Sequence, residues 1–248
     1  MLQSVGNEHD NHYLSAQSNS IEALVASRND GKRHLLLACA HATVPVIVEA
    51  LAKHEGALSI RIVLTQSATH FLGGQSAEQP TVSSLLHLPN VDAVYRDHDE
   101  WGPQPWRRGA RADMLVVAPL SANTLAKVAN GMSDNLLTSV IRAWDTDASI
   151  DMKKKIILVA PAMNSAMWRN PITEKQIRVL SEDWGIKEGT FADGQNRSIT
   201  GWFQVITPIS KTLACGDTGG AMASVPSICE IIENRLSLGG PEETRQTD

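Results

Sequence analysis

The sequence predicts a three-layer α/β fold, a doubly wound parallel sheet of the Rossmann or flavodoxin kind, and three observations carry that prediction. Five short runs, "HLLLACA", "LSIRIVLT", "VDAVYRD", "DMLVVAP" and "KIILVAP", are continuously apolar or nearly so. Segments of helical period fall between or after them, near residues 44–54, 121–130, 135–144 and 171–182. The joints from strand to helix are rich in small polar residues. Strands apolar on both faces need cover on both sides, which crossover helices supply in a parallel sheet.

The 248 residues are enough for one sizeable core, and 42% hydrophobic with 20% charged residues is an ordinary globular balance. A net charge of -5 with the signs interspersed offers no basic stripe for nucleic acid and no polybasic segment for a membrane surface. Cys39, Cys215 and Cys229 are too few and too scattered for a disulfide framework, and none forms a CxxC pair. The opening residues carry Glu8 and Asp10 and lack an apolar core, so they do not read as a secretory signal. His41, Pro45 and Glu49 break the apolar stretch from His34 to Ala52, against a membrane span. A soluble, cytoplasmic protein is expected. Residues 1–30 read as a disordered extension, 31–238 as the folded domain, and 239–248 as a flexible tail.

Ligands of such sheets sit beyond the carboxyl ends of the strands, where helix N-termini present free N–H groups. Thr65 and Ser67 in "VLTQSATHF", and Ser121, Ala122, Asn123 and Thr124 in "APLSANT", stand at two such joints. Each hydroxyl there has a plain alternative as a helix N-cap. Two such turns on one sheet also suit a phosphorylated cofactor with a polar ring system, and flavin mononucleotide (FMN) fits that description. Neither GxGxxG nor GxxxxGK[ST] occurs, which leaves a dinucleotide fold or a P-loop NTPase without support.

A third joint, "PAMNSAMW", places Pro161, Met163, Asn164, Met167 and Trp168 after an apolar strand, and "LACGDTGGAM" follows some fifty residues later with Ala214 and Cys215. With "APLSANTLAKVANGMSDNLLTSVIRAWD", these segments resemble the homo-oligomeric flavin-containing cysteine decarboxylases over roughly residues 34–236. The resemblance implies an FMN-dependent decarboxylase of 4'-phosphopantothenoylcysteine, yielding 4'-phosphopantetheine on the route to coenzyme A. It also implies that Thr65, Ser67, Ser121–Thr124 and Ala162 hold FMN, and that Met163 and Ala214 line the substrate. Asn164 would receive the substrate carboxylate, and Cys215, on a flap, would be the proton donor. In the mechanism that the resemblance implies, FMN would supply the oxidation of the substrate thiol to a thioaldehyde, giving the departing carboxylate the electron sink it otherwise lacks. For Cys39 and Cys229, inside apolar patterns, burial is the simpler reading.

Three departures from the family pattern stand out. His41, Ala42 and Thr43 replace the usual glycine-serine turn after the first strand, leaving Thr43 as a donor. No histidine lies between Trp101 and Ala118, where the family carries its catalytic one; His98, just before the gap, reads as a solvated loop residue. The ACGD segment is one residue shorter than usual. Because family members resemble trimers with active sites between protomers, a homotrimer or a heterotrimer with a related subunit is expected, and a chain with Asn164 and Cys215 but no histidine would work beside a histidine-bearing partner. The "DNLLTSVIRAWD" segment is a candidate trimer surface, with core packing as its alternative. Halotolerance-type relatives, which bind and inhibit a serine/threonine phosphatase, supply the second functional reading. Their strongly acidic tail is reduced here to Glu242, Glu243 and Asp248.

Overall fold

The structure is a computed structural model that describes residues 30–38, 43–71, 81–101, 112–149, 153–190, 197–212 and 218–239. Residues Met1–Lys32 and Arg33–Asp248 form two separate units. Of the first unit only residues 30–32 are described, where the Lys32 N–H donates to Asp30 at 2.9 Å. The expected disordered extension and all of the tail beyond Gly239 lie outside the described residues.

Six strands build one parallel sheet: β1 (Arg33–Ala38), β2 (Leu58–Leu64), β3 (Val91–Arg96), β4 (Met114–Leu120), β5 (Ile156–Pro161) and β8 (Phe203–Val205). Their order is β3-β2-β1-β4-β5-β8, every pairing parallel. That is the Rossmann order, with the chain reversing its direction of growth between β1 and β4. All five apolar runs read from the sequence are strands. The sixth is only three residues long, too short for a sequence pattern.

Side chains alternate along each strand, so consecutive residues feed opposite cores. Leu35, Leu37, Ile60, Ile62, Met114, Val116 and Leu158 join one cluster, covered by α1 (Thr43–Ala50) and α7 (Val225–Leu236). Leu36, Val63, Leu115, Val117, Ile157, Val159 and Phe203 join the other, beneath α3 (Ala122–Ala129), α4 (Leu136–Arg142) and α6 (Pro171–Arg178). Three layers result, as the fold class requires. Leu37, Ile62, Leu115 and Leu158 are fully inaccessible to solvent, which is why their strands read as unbroken apolar runs.

The "DNLLTSVIRAWD" segment takes its plainer reading. Leu137, Ile141 and Trp144 are buried in the second core, and the segment's apolar face is therefore used on its own sheet. Asn135 and Thr138 close the N-terminus of α4 as a capping box: the Thr138 N–H donates to Asn135 Oδ1 at 3.0 Å, and the Asn135 N–H to Thr138 Oγ1 at 3.2 Å. Within the polar stretch 188–200, whose residues 191–196 lie outside the described ones, β6 (Lys187–Thr190) pairs antiparallel with β7 (Arg197–Thr200).

At the amino edge of the sheet, Asp113 ties β1 to β4. Its carboxylate accepts the His34 N–H at 2.8 Å and the Lys153 ammonium at 2.9 Å, while its own N–H donates to the His34 carbonyl at 2.7 Å. Burial pushes this carboxyl's pKa up, but the His34 hydrogen bond, the Lys153 hydrogen bond and charge, and the Arg33 charge outweigh it, so the net shift is downward. A carboxyl depressed in the folded chain contributes stability above its unfolded pKa of about 3.9 and loses it as pH falls through the folded value. Urea midpoints measured from pH 7 downward are thus expected to fall below about pH 4, with a shallower fall for Asp113→Asn.

Candidate functional site

Three of the expected binding turns lie on the carboxyl edge of the sheet, after β2, β4 and β5. Thr65 ends β2 and starts the short helix α2 (Gln66–Phe71), its Oγ1 accepting the Ala68 N–H at 3.2 Å. Ser121 caps α3, its Oγ accepting the Thr124 N–H at 3.2 Å and lying 3.1 Å from Thr124 Oγ1. The plain N-cap reading of these hydroxyls is therefore realised. It leaves them as donors, because a cap uses only the hydroxyl's acceptor face. Ser67 and Asn123 are exposed on the first turns of α2 and α3, with no hydrogen-bond partner for their side chains among the described residues. Thr43 is the first residue of α1 and half-buried, while His41 and Ala42 lie outside the described residues.

Asp97 is the residue that sequence reasoning missed here. Its Oδ2 accepts the Gln66 N–H at 2.7 Å and its Oδ1 accepts the Leu136 N–H at 3.2 Å. One carboxylate, at the end of β3, thus satisfies the first free N–H of both α2 and α4, where a negative charge is also favoured by the helix ends. The signal in "YRDHDEW" was an acid directly after a strand, a pattern too common to single out.

The loop after β5 explains its own unusual composition. Ala162 donates its N–H to the Leu120 carbonyl at 3.0 Å, closing the loop against the end of β4. Asn164 is exposed and caps α5 (Ser165–Arg169), its Oδ1 accepting the Met167 N–H at 2.8 Å. That bond fixes the carboxamide and leaves its Nδ2 donor without a partner among the described residues. Met163 packs its side chain partly into the second core, so structural filling is a large part of its role. Thr173 fastens the loop from below, its hydroxyl donating to the Met167 carbonyl at 2.6 Å.

A hairpin of β9 (Ile209–Thr212) and β10 (Thr218–Ala221) meets this loop. The Met163 N–H donates to the Gly220 carbonyl at 3.3 Å, and the Trp168 indole lies so close that a Cβ on Gly220 would be 2.7 Å from its Cδ2. The two sequence motifs, fifty residues apart, are thereby in contact through Trp168 and Gly220. Ala214 and Cys215 fall in the connection between β9 and β10, outside the described residues, as does Cys39. Cys229 is buried at 5% exposure, with desolvation as the main cause pushing its thiol up to about 11, which makes it inert.

This edge suits a hydrogen-bonding ligand with an anionic end. Among the described residues, Ser67, Asn123 and the Asn164 amide have donors without a partner, and Ser165 Oγ is buried without one. These neutral donors fit the carbonyl, hydroxyl and phosphate groups of a flavin nucleotide. A Rossmann-ordered flavoprotein is the class that the fold and this edge define. The Flavoprotein family matches residues 24–237, and the chain belongs to that family. It is 36% identical to the mouse phosphopantothenoylcysteine decarboxylase, over 79% of this chain and 82% of that protein. It is 39% identical to a phosphopantothenoylcysteine decarboxylase of Arabidopsis thaliana, over 68% of each. Among solved structures it resembles a PPC decarboxylase cysteine-to-serine mutant complexed with pantothenoylaminoethenethiol, with a TM-score of 0.58, 35% identity, and 83% of this chain and 99% of that one covered. The FMN binding protein AtHal3 superimposes equally well, at a TM-score of 0.58 and 36% identity over 84% of this chain and 99% of that one.

Proposed function

We propose that this chain is an FMN-dependent decarboxylase converting 4'-phosphopantothenoylcysteine to 4'-phosphopantetheine in coenzyme A biosynthesis, in the cytoplasm. The observation that carries the reading is the joined pair of motifs: Asn164 with its amide donor unspent, on a loop that holds the Cys215 hairpin at Gly220. Thr65, Ser67, Ser121–Thr124 and Ala162 are the residues assigned to FMN. When bound, FMN supplies the two-electron oxidation of the substrate thiol that makes loss of carbon dioxide feasible.

Asn164 donates from Nδ2 to the substrate carboxylate. An uncharged donor orients that group without the strong ground-state hold that a lysine would exert, and such a hold would oppose its departure. Met163 and Ala214 line the substrate, and Cys215 donates the proton that accompanies return of the two electrons from reduced FMN, which would convert the enethiolate to the saturated thiol. Among the described residues no helix is long and apolar enough to cross a membrane.

The assembly is a trimer in which a related subunit supplies the histidine missing between Trp101 and Ala118. Its support is a corner of exposed apolar side chains beside Asn164: Met167 is 49% and Ile172 52% exposed. Such residues next to a site are what a second chain covers.

The test is a carbon dioxide release assay on phosphopantothenoylcysteine, with flavin absorbance recorded, using the chain alone and mixed with a histidine-bearing relative. Turnover that appears only in the mixture supports the heterotrimer; turnover by the chain alone supports the enzyme and removes the partner. A yellow mixture without turnover leaves the phosphatase-regulator reading, and a colourless chain overturns the flavin site. Asp97→Asn gives a narrower expectation. With one acceptor and the charge removed from between α2 and α4, the FMN dissociation constant is expected to rise about tenfold, roughly the effect of one charge-assisted hydrogen bond, measured by fluorescence titration.

A further inference from the structure

We propose that Trp168 is a positioning residue for Asn164, seating helix α5 on the Gly220 backbone so that the carboxamide keeps its aim. The inference rests on the reading that Asn164 receives the substrate carboxylate. α5 is only five residues long, and a helix so short has no stable direction of its own. Its direction must come from what it touches. At its start, the Met163 N–H is fixed on the Gly220 carbonyl. One turn on, the Trp168 N–H donates to the Asn164 carbonyl at 2.9 Å, which ties the main chain of Trp168 to that of Asn164.

The indole then lies flat against Gly220: a Cβ built there would stand 2.7, 2.8 and 3.0 Å from Cδ2, Cε3 and Cγ of the ring. Contacts that close require glycine, since real Cβ atoms do not approach a ring at such distances. One hydrogen bond, from Met163 to Gly220, and one face-to-backbone contact thus bind the Asn164 loop and β10 into one body. The cap from Asn164 Oδ1 to the Met167 N–H transmits that position to the side chain, because the carboxamide is tied to the same helix. Trp168 acts through α5 and touches no substrate.

The test uses the FMN-loaded full chain and two ligands that cannot turn over: S-methyl phosphopantothenoylcysteine, which has the carboxylate, and S-methyl phosphopantetheine, which lacks it. Binding is read by quenching of flavin fluorescence. The unsubstituted chain prefers the carboxylate ligand, and Asn164→Ala loses that preference. Trp168→Leu is expected to lower it about tenfold with FMN affinity unchanged, and Gly220→Ala to do the same by displacing the indole. The double variant should be no worse than either single one, since both break the same contact. Alkylation of Cys229, buried in the unsubstituted chain, is the check on folding.

Trp168→Leu and Gly220→Ala variants that keep the preference overturn the proposal. So does an equal loss for both ligands together with weakened FMN binding, and so does exposure of Cys229 in both variants, since Trp168 would then serve folding alone. If one variant alone unfolds, the other decides. No carboxylate preference in the unsubstituted chain, or a preference unaffected by Asn164→Ala, overturns instead the Asn164 reading on which this one rests.

Discussion

Asn164→Asp is expected to leave the stability of the chain unchanged while decarboxylation by the assembled enzyme falls about a thousandfold, the scale seen when a preorganised donor is lost. Asp and Asn are equivalent helix N-caps, so Oδ1 can still accept the Met167 N–H, and the negative charge is favoured at the start of α5. What changes is the outward atom. A carboxylate oxygen replaces the Nδ2 donor and meets the substrate carboxylate as a like charge. Asn164→Ala separates the two roles from the other side, since it removes the donor and also the cap, at a cost of about 1 kcal/mol in stability. Melting curves and carbon dioxide release on both variants check this. An Asp variant with normal turnover would show that the Asn164 side chain is a cap and nothing more.

Cys215→Ser is expected to stop the reaction halfway. A serine hydroxyl is far too weak an acid to replace a thiol whose ordinary pKa is about 8.5. FMN binding and carbon dioxide release should persist, while the product lacks two hydrogens and appears in mass spectra as the unsaturated enethiol. The solved relative that carries a cysteine-to-serine change is itself complexed with pantothenoylaminoethenethiol. Cys229→Ser provides the contrast: that thiol is buried in the core beneath α7, so the substitution lowers the melting temperature and leaves the product unaltered. Saturated product from Cys215→Ser would remove Cys215 from the proton-donor role.

Most of the fold was legible because β1, β2, β4 and β5 are buried on both faces and therefore write themselves as largely apolar runs, as "ILVA" does with all four side chains buried. β8 was not legible: three residues, Phe203–Val205, carry no periodicity, and the strand exists because Phe203 packs with Trp184 and Trp202 and pairs with Ile157. The site was legible only as residue types. Ser121 and Thr65 announced helix starts, and nothing in their spacing showed which hydroxyl face stays free. Asn164 was expected as a ligand group and not as a cap, and the cap is what the structure shows. The Trp168–Gly220 contact and the double service of Asp97 join residues fifty-two and up to thirty-nine positions apart, and a single sequence holds no record of such meetings.

The seat on Gly220 also bears on how this loop tolerates changes of length. β10 is held by Met163 and Trp168 as well as by its pairing with β9. Its pairing with β9 runs in register from Thr218 opposite Thr212 to Ala221 opposite Ile209. A hairpin fixed only by its turn would shift by one residue on a deletion and send every side chain to the opposite face. Here Gly220 has a second anchor outside the pairing with β9, so a residue gained or lost between Thr212 and Thr218 is expected to leave the glycine beneath the indole.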